Sequence, residues 1–155
     1  VTQDGTETRN PTPDLAERSG WETATEGDAD ATVDSSSALG FRVNKCSEAS
    51  AVRRYRAGVR EVTISFEYEV EAEEWFEIPY LAVRQNGETT YETRTADTDN
   101  RDFEVESYST TGGSFEETVS VSGSFAVEVG LRPSQYCSSG DHANTYFRIR
   151  GFSVA

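Results

Sequence analysis

Val62, Ile64, Phe66, Tyr68 and Val70 alternate with Thr63, Ser65, Glu67 and Glu69. A period of two places all five large apolar side chains on one side of an extended chain and the polar ones on the other. A helix would scatter the same residues around its circumference, so this segment is predicted to be a half-buried antiparallel strand. Similar runs recur after Gly40. Phe41 and Val43 alternate before Cys46, residues 78–84 form an apolar stretch, and Phe125, Val127, Val129 and Leu131 alternate again. Asn86-Gly87 is a strong hairpin signal, since both residues tolerate positive φ, and residues 89–94 return from it. With residues 103–105, 115–121 and 146–154, these runs predict an all-β antiparallel sandwich, jelly-roll-like, of about eight strands.

Residues 1–30 read differently. They are polar and acidic, with Pro11 and Pro13, and only Leu15 and Trp21 are sizeable and apolar. No core can form there, so an extended N-terminal arm is expected over 1–30 and the sandwich domain over 31–155. A short helical turn is expected at 14–18, capped by Asp14 and stopped by Gly20. The two cysteines, Cys46 and Cys137, lack the CxxC spacing of redox and zinc sites. A single structural disulfide is the simplest account, and it implies an oxidising compartment.

Charge narrows the partners. Fourteen basic residues against 28 acidic ones leave a net charge of −14, which repels nucleic acid and anionic lipid surfaces. No apolar run reaches the ~18 residues that span a bilayer, so neither nucleic-acid binding nor membrane insertion is expected. Lys45 is the only lysine, and the polar remainder is rich in Asp, Glu, Ser and Thr. That composition is expected of a protein working in molar salt, where a Debye length of ~3 Å removes self-repulsion. It resembles secreted proteins of halophilic archaea. The chain starts at Val1 and contains no Met, and is read as exported with its leader removed, extracellular or at the cell surface.

Trp21, the acidic Glu26-Gly27-Asp28, the strand at 62–70, the hairpin through Asn86-Gly87 and the closing residues 146–154 together resemble the jelly-roll modules called galactose-binding-like or carbohydrate-binding modules. The resemblance spans residues 21–155 and rests on strand order. It implies a structural calcium near the entry loop, for which Glu26, Asp28 and Asp30 are the candidates. The final strand of that family usually carries Asp where this chain has Arg150-Gly151. A second oxygen-rich loop holds Asp97, Asp99 and Asp102, interrupted by Arg101, and lacks the Gly and distal Glu of an EF-hand. No other cofactor is expected.

Ser138, Ser139, Asp141 and His142 contain the residue types of a nucleophilic triad but are neighbours in one loop, whereas a triad converges from separate elements. No catalytic residue is assigned and no enzymatic activity is expected. Trp75, Tyr80 and Tyr91, with Tyr108 and Tyr136 near strand ends, are candidate platforms on which sugar rings stack. Arg53, Arg54, Arg56 and Arg60 make a basic patch in an acidic chain. It is expected either to pair with Glu67, Glu69 or Glu71, or to contact an acidic face of another copy. The leading expectation is a structural subunit that self-associates into a filament or coat, aided by the arm. The alternative is a carbohydrate-binding or lectin-like domain.

Overall fold

The computed structural model describes residues 15–74, 76–93, 102–103, 108–135, 137–138, 140 and 142–155. These contain strands and no helix: β1 (Ala16–Glu17), β2 (Glu22–Ser35), β3 (Ala38–Ala72), β4 (Glu77–Gln85), β5 (Glu88–Glu92), β6 (Ser109–Pro133) and β7 (Thr145–Val154), every pairing antiparallel. Three of them are too long to stay in one sheet. β2 bends at Gly27 (φ 80°), β3 at Lys45 and Cys46 (φ 58° each) and again between Ala57 and Arg60, and β6 at Gly123 (φ 74°). At each bend the register shifts or the partner changes, so one strand serves both layers of a sandwich, the corner device of bulged sheets.

The registers define the layers. In the first, the second half of β2 pairs with residues 38–44 of β3, then comes β7, then residues 60–72 of β3, then residues 109–121 of β6. In the second, β1 and the first half of β2 flank residues 49–57 of β3, followed by residues 123–133 of β6, then β4, then β5. We call these sheet 1 and sheet 2. Alternation decides what lies between them. Val62, Ile64, Phe66, Tyr68 and Val70 are all buried, as are Val127, Val129 and Leu131 opposite Val83, Leu81 and Pro79. Fully burying such side chains contributes about 1.5–3 kcal/mol each. Phe66 lies 5.0 Å from Phe115, 5.8 Å from Phe152 and 6.1 Å from Phe103 between ring centroids, a stacked aromatic cluster at the heart of sheet 1.

The all-β antiparallel architecture therefore stands, with differences in detail. The expected strands at 115–121 and 125–131 are one strand, β6, that changes sheet. Phe103 is buried at 1 % exposure but lies outside any strand; Glu104 and Val105 are outside the described residues. Of the helical turn expected at 14–18, Asp14 is outside the described residues and Ala16–Glu17 form the short strand β1, paired with Arg56 and Tyr55. The boundary drawn at residue 30 falls inside β2, which hydrogen-bonds to β3 from Glu22 onward. Trp21 is fixed by structure: its indole N–H donates to the Ser36 carbonyl at 2.9 Å, and its ring meets Phe152 edge-on at 4.9 Å. Asn86 and Gly87 both take positive φ, 54° and 78°, and close the β4–β5 hairpin as their residue types require.

Cys46 and Cys137 form the disulfide, with Cα atoms 5.8 Å apart across 91 residues of sequence. It ties the first corner of β3 to the segment after β6. Beside it lies Glu77, 0 % exposed. Its carboxylate accepts from the Cys46 backbone N–H at 2.9 Å and the Thr145 hydroxyl at 3.0 Å.

Candidate functional site

The outward side chains of sheet 1 fall into three rows across its strands. One row runs Asp30, Arg42, Tyr146, Glu71, Thr110; the next Thr32, Gly40, Arg148, Glu69, Gly112; the third Arg150, Glu67, Ser114. Backbone alternation alone sets this face, because every one of these residues is out of phase with the buried set. Gly40 breaks the middle row. A Cβ built there meets nothing within 4 Å, so the missing side chain leaves a hollow between β2 and β7. The resulting depression has a volume of ≈ 530 Å³ and is lined by Asp30, Asp34, Gly40, Tyr146, Arg148 and Arg150 among others. That volume falls in the ~300–1,000 Å³ range of small-molecule sites.

The rim is held in place. Arg42 donates through Nε to Asp30 at 2.8 Å, through Nη2 to Asp28 at 2.9 Å and through Nη1 to the Asn144 side-chain carbonyl at 3.3 Å. The hydrogen bond from Arg42 holds the Asp28 carboxyl below the usual carboxylate range, against a smaller opposing effect of desolvation. Arg148 reaches Glu69 at 3.0 Å and Glu71 at 3.4 Å, while its guanidinium sits 5.1 Å from the Tyr146 ring centroid. Arg150 pairs with Glu67 at 3.0 Å. Exposed pairs of this kind add little stability. Their effect here is geometric, because each pair restrains the position of its guanidinium on the face.

The residues singled out in the sequence are distributed otherwise. Asp28 and Asp30 do converge, both paired with the Arg42 guanidinium, and Glu26 lies across the Gly27 bulge in the segment paired with sheet 2. Asp102 is half-buried; Asp97 and Asp99 are outside the described residues. So are Trp75, Tyr136, Ser139 and Asp141. His142 and Ser138 are both exposed. Tyr80 lies on the outer face of sheet 2, 5 % exposed, donating its hydroxyl to Glu128 and covered by the Arg132 guanidinium at 4.6 Å, so no ring face is open to a sugar. Tyr91 is half-buried and packs against the core. Tyr108 is 77 % exposed and donates to Glu74 at 2.6 Å.

The four-arginine patch does not exist as one surface. Arg53 shares the inward phase of Ala51 and Tyr55 and is 7 % exposed. It donates to the Ser36 carbonyl at 2.9 Å, pairs with Glu17 and lies 5.6 Å from the Trp21 ring, with its Nε left unpartnered. Arg54 turns outward and pairs with Glu22 at 2.6 Å, Arg56 is exposed, and Arg60 donates to the Glu61 carbonyl at 3.3 Å. Glu67, Glu69 and Glu71 are taken by Arg148 and Arg150 instead. Tyr146, the aromatic of the sheet 1 depression, escaped notice in the sequence because it precedes an apolar strand and reads as its first residue.

Burial pushes the Tyr55 phenol up to about 12, with Arg53 opposing, and burial followed by the hydrogen bond to Glu128 raises Tyr80. A phenol whose folded pKa exceeds its unfolded value near 10 stabilises the fold below pH ~10, and that contribution is lost as pH rises through the folded pKa. We therefore expect stability to fall above pH ~10, with Tyr55 and Tyr80 absent from the early part of a tyrosinate absorbance titration. Replacing both by Phe is expected to flatten this alkaline loss; an unchanged profile would contradict the assignment.

No protein-family model and no curated protein matches the chain. Among solved structures, it is similar to TmCBM61 in complex with beta-1,4-galactotriose, at 10 % identity over 87 % of each chain, with a TM-score of 0.48. It is also similar to the enzymatically active domain of bacteriophage CBA120 tailspike protein 4, at 12 % identity and a TM-score of 0.43, over 91 % of this chain and 18 % of that one. A third is a structure of the infectious bursal disease virus Gt strain, at 13 % identity and a TM-score of 0.37, over 89 % of this chain and 32 % of that one.

Proposed function

We propose that the protein is a non-catalytic glycan-binding domain whose binding surface is the outer face of sheet 1 around Gly40. The observation that carries this reading is the hollow at Gly40, set in a row of restrained guanidinium and carboxylate groups and bordered by Tyr146. Sugar hydroxyls both donate and accept, so they suit a surface that offers both signs of charge side by side. A phosphate-bearing polymer does not suit a chain of net charge −14. The hollow is open and lies across the strands, which fits a polysaccharide passing over the face.

Hydrolysis is not supported by the two carboxylates that line the hollow, Asp30 and Asp34. Asp30 and Asp34 are four residues apart on one strand, about 13 Å at the extended rise, and Asp30 is engaged by Arg42. Glycosidases place their pair roughly 5–10 Å apart with one member free to donate a proton. The disulfide and the acidic composition support an extracellular setting at high salt. The filament reading rested chiefly on the N-terminal arm, of which residues 1–14 lie outside the described residues, and its second support, the arginine patch, is divided between two faces.

Calorimetric titration against galactans, mannans and glucans in molar salt tests the proposal. Tyr146→Ala is expected to weaken binding about tenfold, the loss of one aromatic contact with its restrained Arg148 neighbour. Retention of no polysaccharide by the unaltered protein would remove the reading.

A further inference from the structure

A second recessed surface lies on sheet 2, where the register sets Arg54, Ala126 and Arg84 side by side. The Arg18 backbone N–H donates to the Arg54 carbonyl at 2.8 Å, which brings a third arginine to the same place. Together with Tyr55 and Phe125 they line a pocket of ≈ 450 Å³ beside the Asn86-Gly87 turn. Tyr55 and Phe125 stack at 5.3 Å and 14° on the inner side of the sheet beneath it, each 3 % exposed, so the outward side chains of the site are the arginines and Ala126. No carboxylate lines this pocket, in a chain with twice as many acidic as basic residues.

The guanidiniums retain capacity. Arg54 spends Nη1 on Glu22 and Arg84 spends Nη1 on Glu128, whose other oxygen is held by Tyr80. Each keeps further N–H donors, and among the described residues no carboxylate pairs with Arg18. Three guanidiniums around one hollow match a ligand that carries an oxyanion. We infer that this pocket binds the oxyanion of an acidic sugar residue, a carboxylate or a sulfate ester, with the sugar ring over Ala126. The choice of a sugar as the ring rests on the glycan-binding reading above; the preference for an anion does not.

The test is titration at low salt with sodium glucuronate, galactose 6-sulfate, neutral galactose and inorganic sulfate, on the unaltered protein, on Arg18→Gln/Arg54→Gln and on Tyr146→Ala. Arg18 is exposed and the Arg54 side chain is 53 % exposed, so the double variant is expected to melt as the parent does. At least one acidic sugar should bind tighter than galactose and than sulfate, weaken about tenfold per arginine removed, and weaken with added salt. Tyr146→Ala should leave this binding intact, so that failure of the sheet 1 site and failure of this pocket are distinguishable. Equal binding of galactose, equal binding of bare sulfate, absence of acidic-sugar binding, or no effect of the double variant would each overturn the inference.

Discussion

Opening the Cys46–Cys137 bridge is expected to cost the protein about 4–5 kcal/mol, the chain-entropy value for a loop of this length. The bond closes 91 residues and joins the first corner of β3 to the segment following β6, so its loss frees most of the chain in the unfolded ensemble. Against a typical total of ~5–15 kcal/mol this is a large share. In urea, the midpoint of Cys46→Ser/Cys137→Ser should fall by about 2 M at fixed salt, given the usual slope for a small domain. Glu77 sets the local consequence. It is fully buried and already accepts from Cys46 and Thr145, so opening the bond loosens the lid over a carboxylate that depends on those donors. An unchanged midpoint would mean the bridge restrains nothing that the sheets do not already hold.

How much of this was legible in the sequence follows from which signals are local. The strand around Ile64 and the hairpin at Asn86-Gly87 were readable because alternation and positive-φ residues act over a few positions. β2 was not, because Glu22–Ser35 carries Glu, Thr, Ala, Asp and Ser with Val33 alone as a larger apolar residue. It is an edge strand held by backbone pairing to β3, and its side chains need no core. The lengths of β3 and β6 were hidden for a different reason. Their bends at Lys45, Cys46 and Gly123 look like turns in sequence, yet the chain continues extended into the other layer.

The candidate sites divide the same way. Arg53, Arg54 and Arg56 appeared as one patch because they are close in sequence, but Arg53 has the phase of Ala49, Ala51 and Tyr55, and the period of two sends it inward. That signal was present and outweighed by charge. Asp28 and Asp30 were read with Glu26 as one acidic cluster, whereas the Arg42 with which both aspartates pair comes from the adjacent strand and only the register reveals it. The hollow itself needs Asp34 on β2, Gly40 on β3 and Tyr146 on β7, three strands brought together by pairings over more than a hundred residues. No local pattern encodes such a juxtaposition.

The glycan-binding reading stands on the space above Gly40, and Gly40→Leu fills that space. Gly40 does not have positive φ and a Cβ there meets no neighbour, so the substitution should fold and melt like the parent. An aliphatic side chain neither stacks on sugar nor bonds its hydroxyls, and it displaces any ring from between Asp34 and Arg148. Calorimetric titration with the polysaccharide bound by the parent should then show affinity reduced about a hundredfold or lost, which corresponds to roughly 2.7 kcal/mol or more. Undiminished affinity in a well-folded Gly40→Leu protein would contradict the account, because it would place the binding surface away from sheet 1.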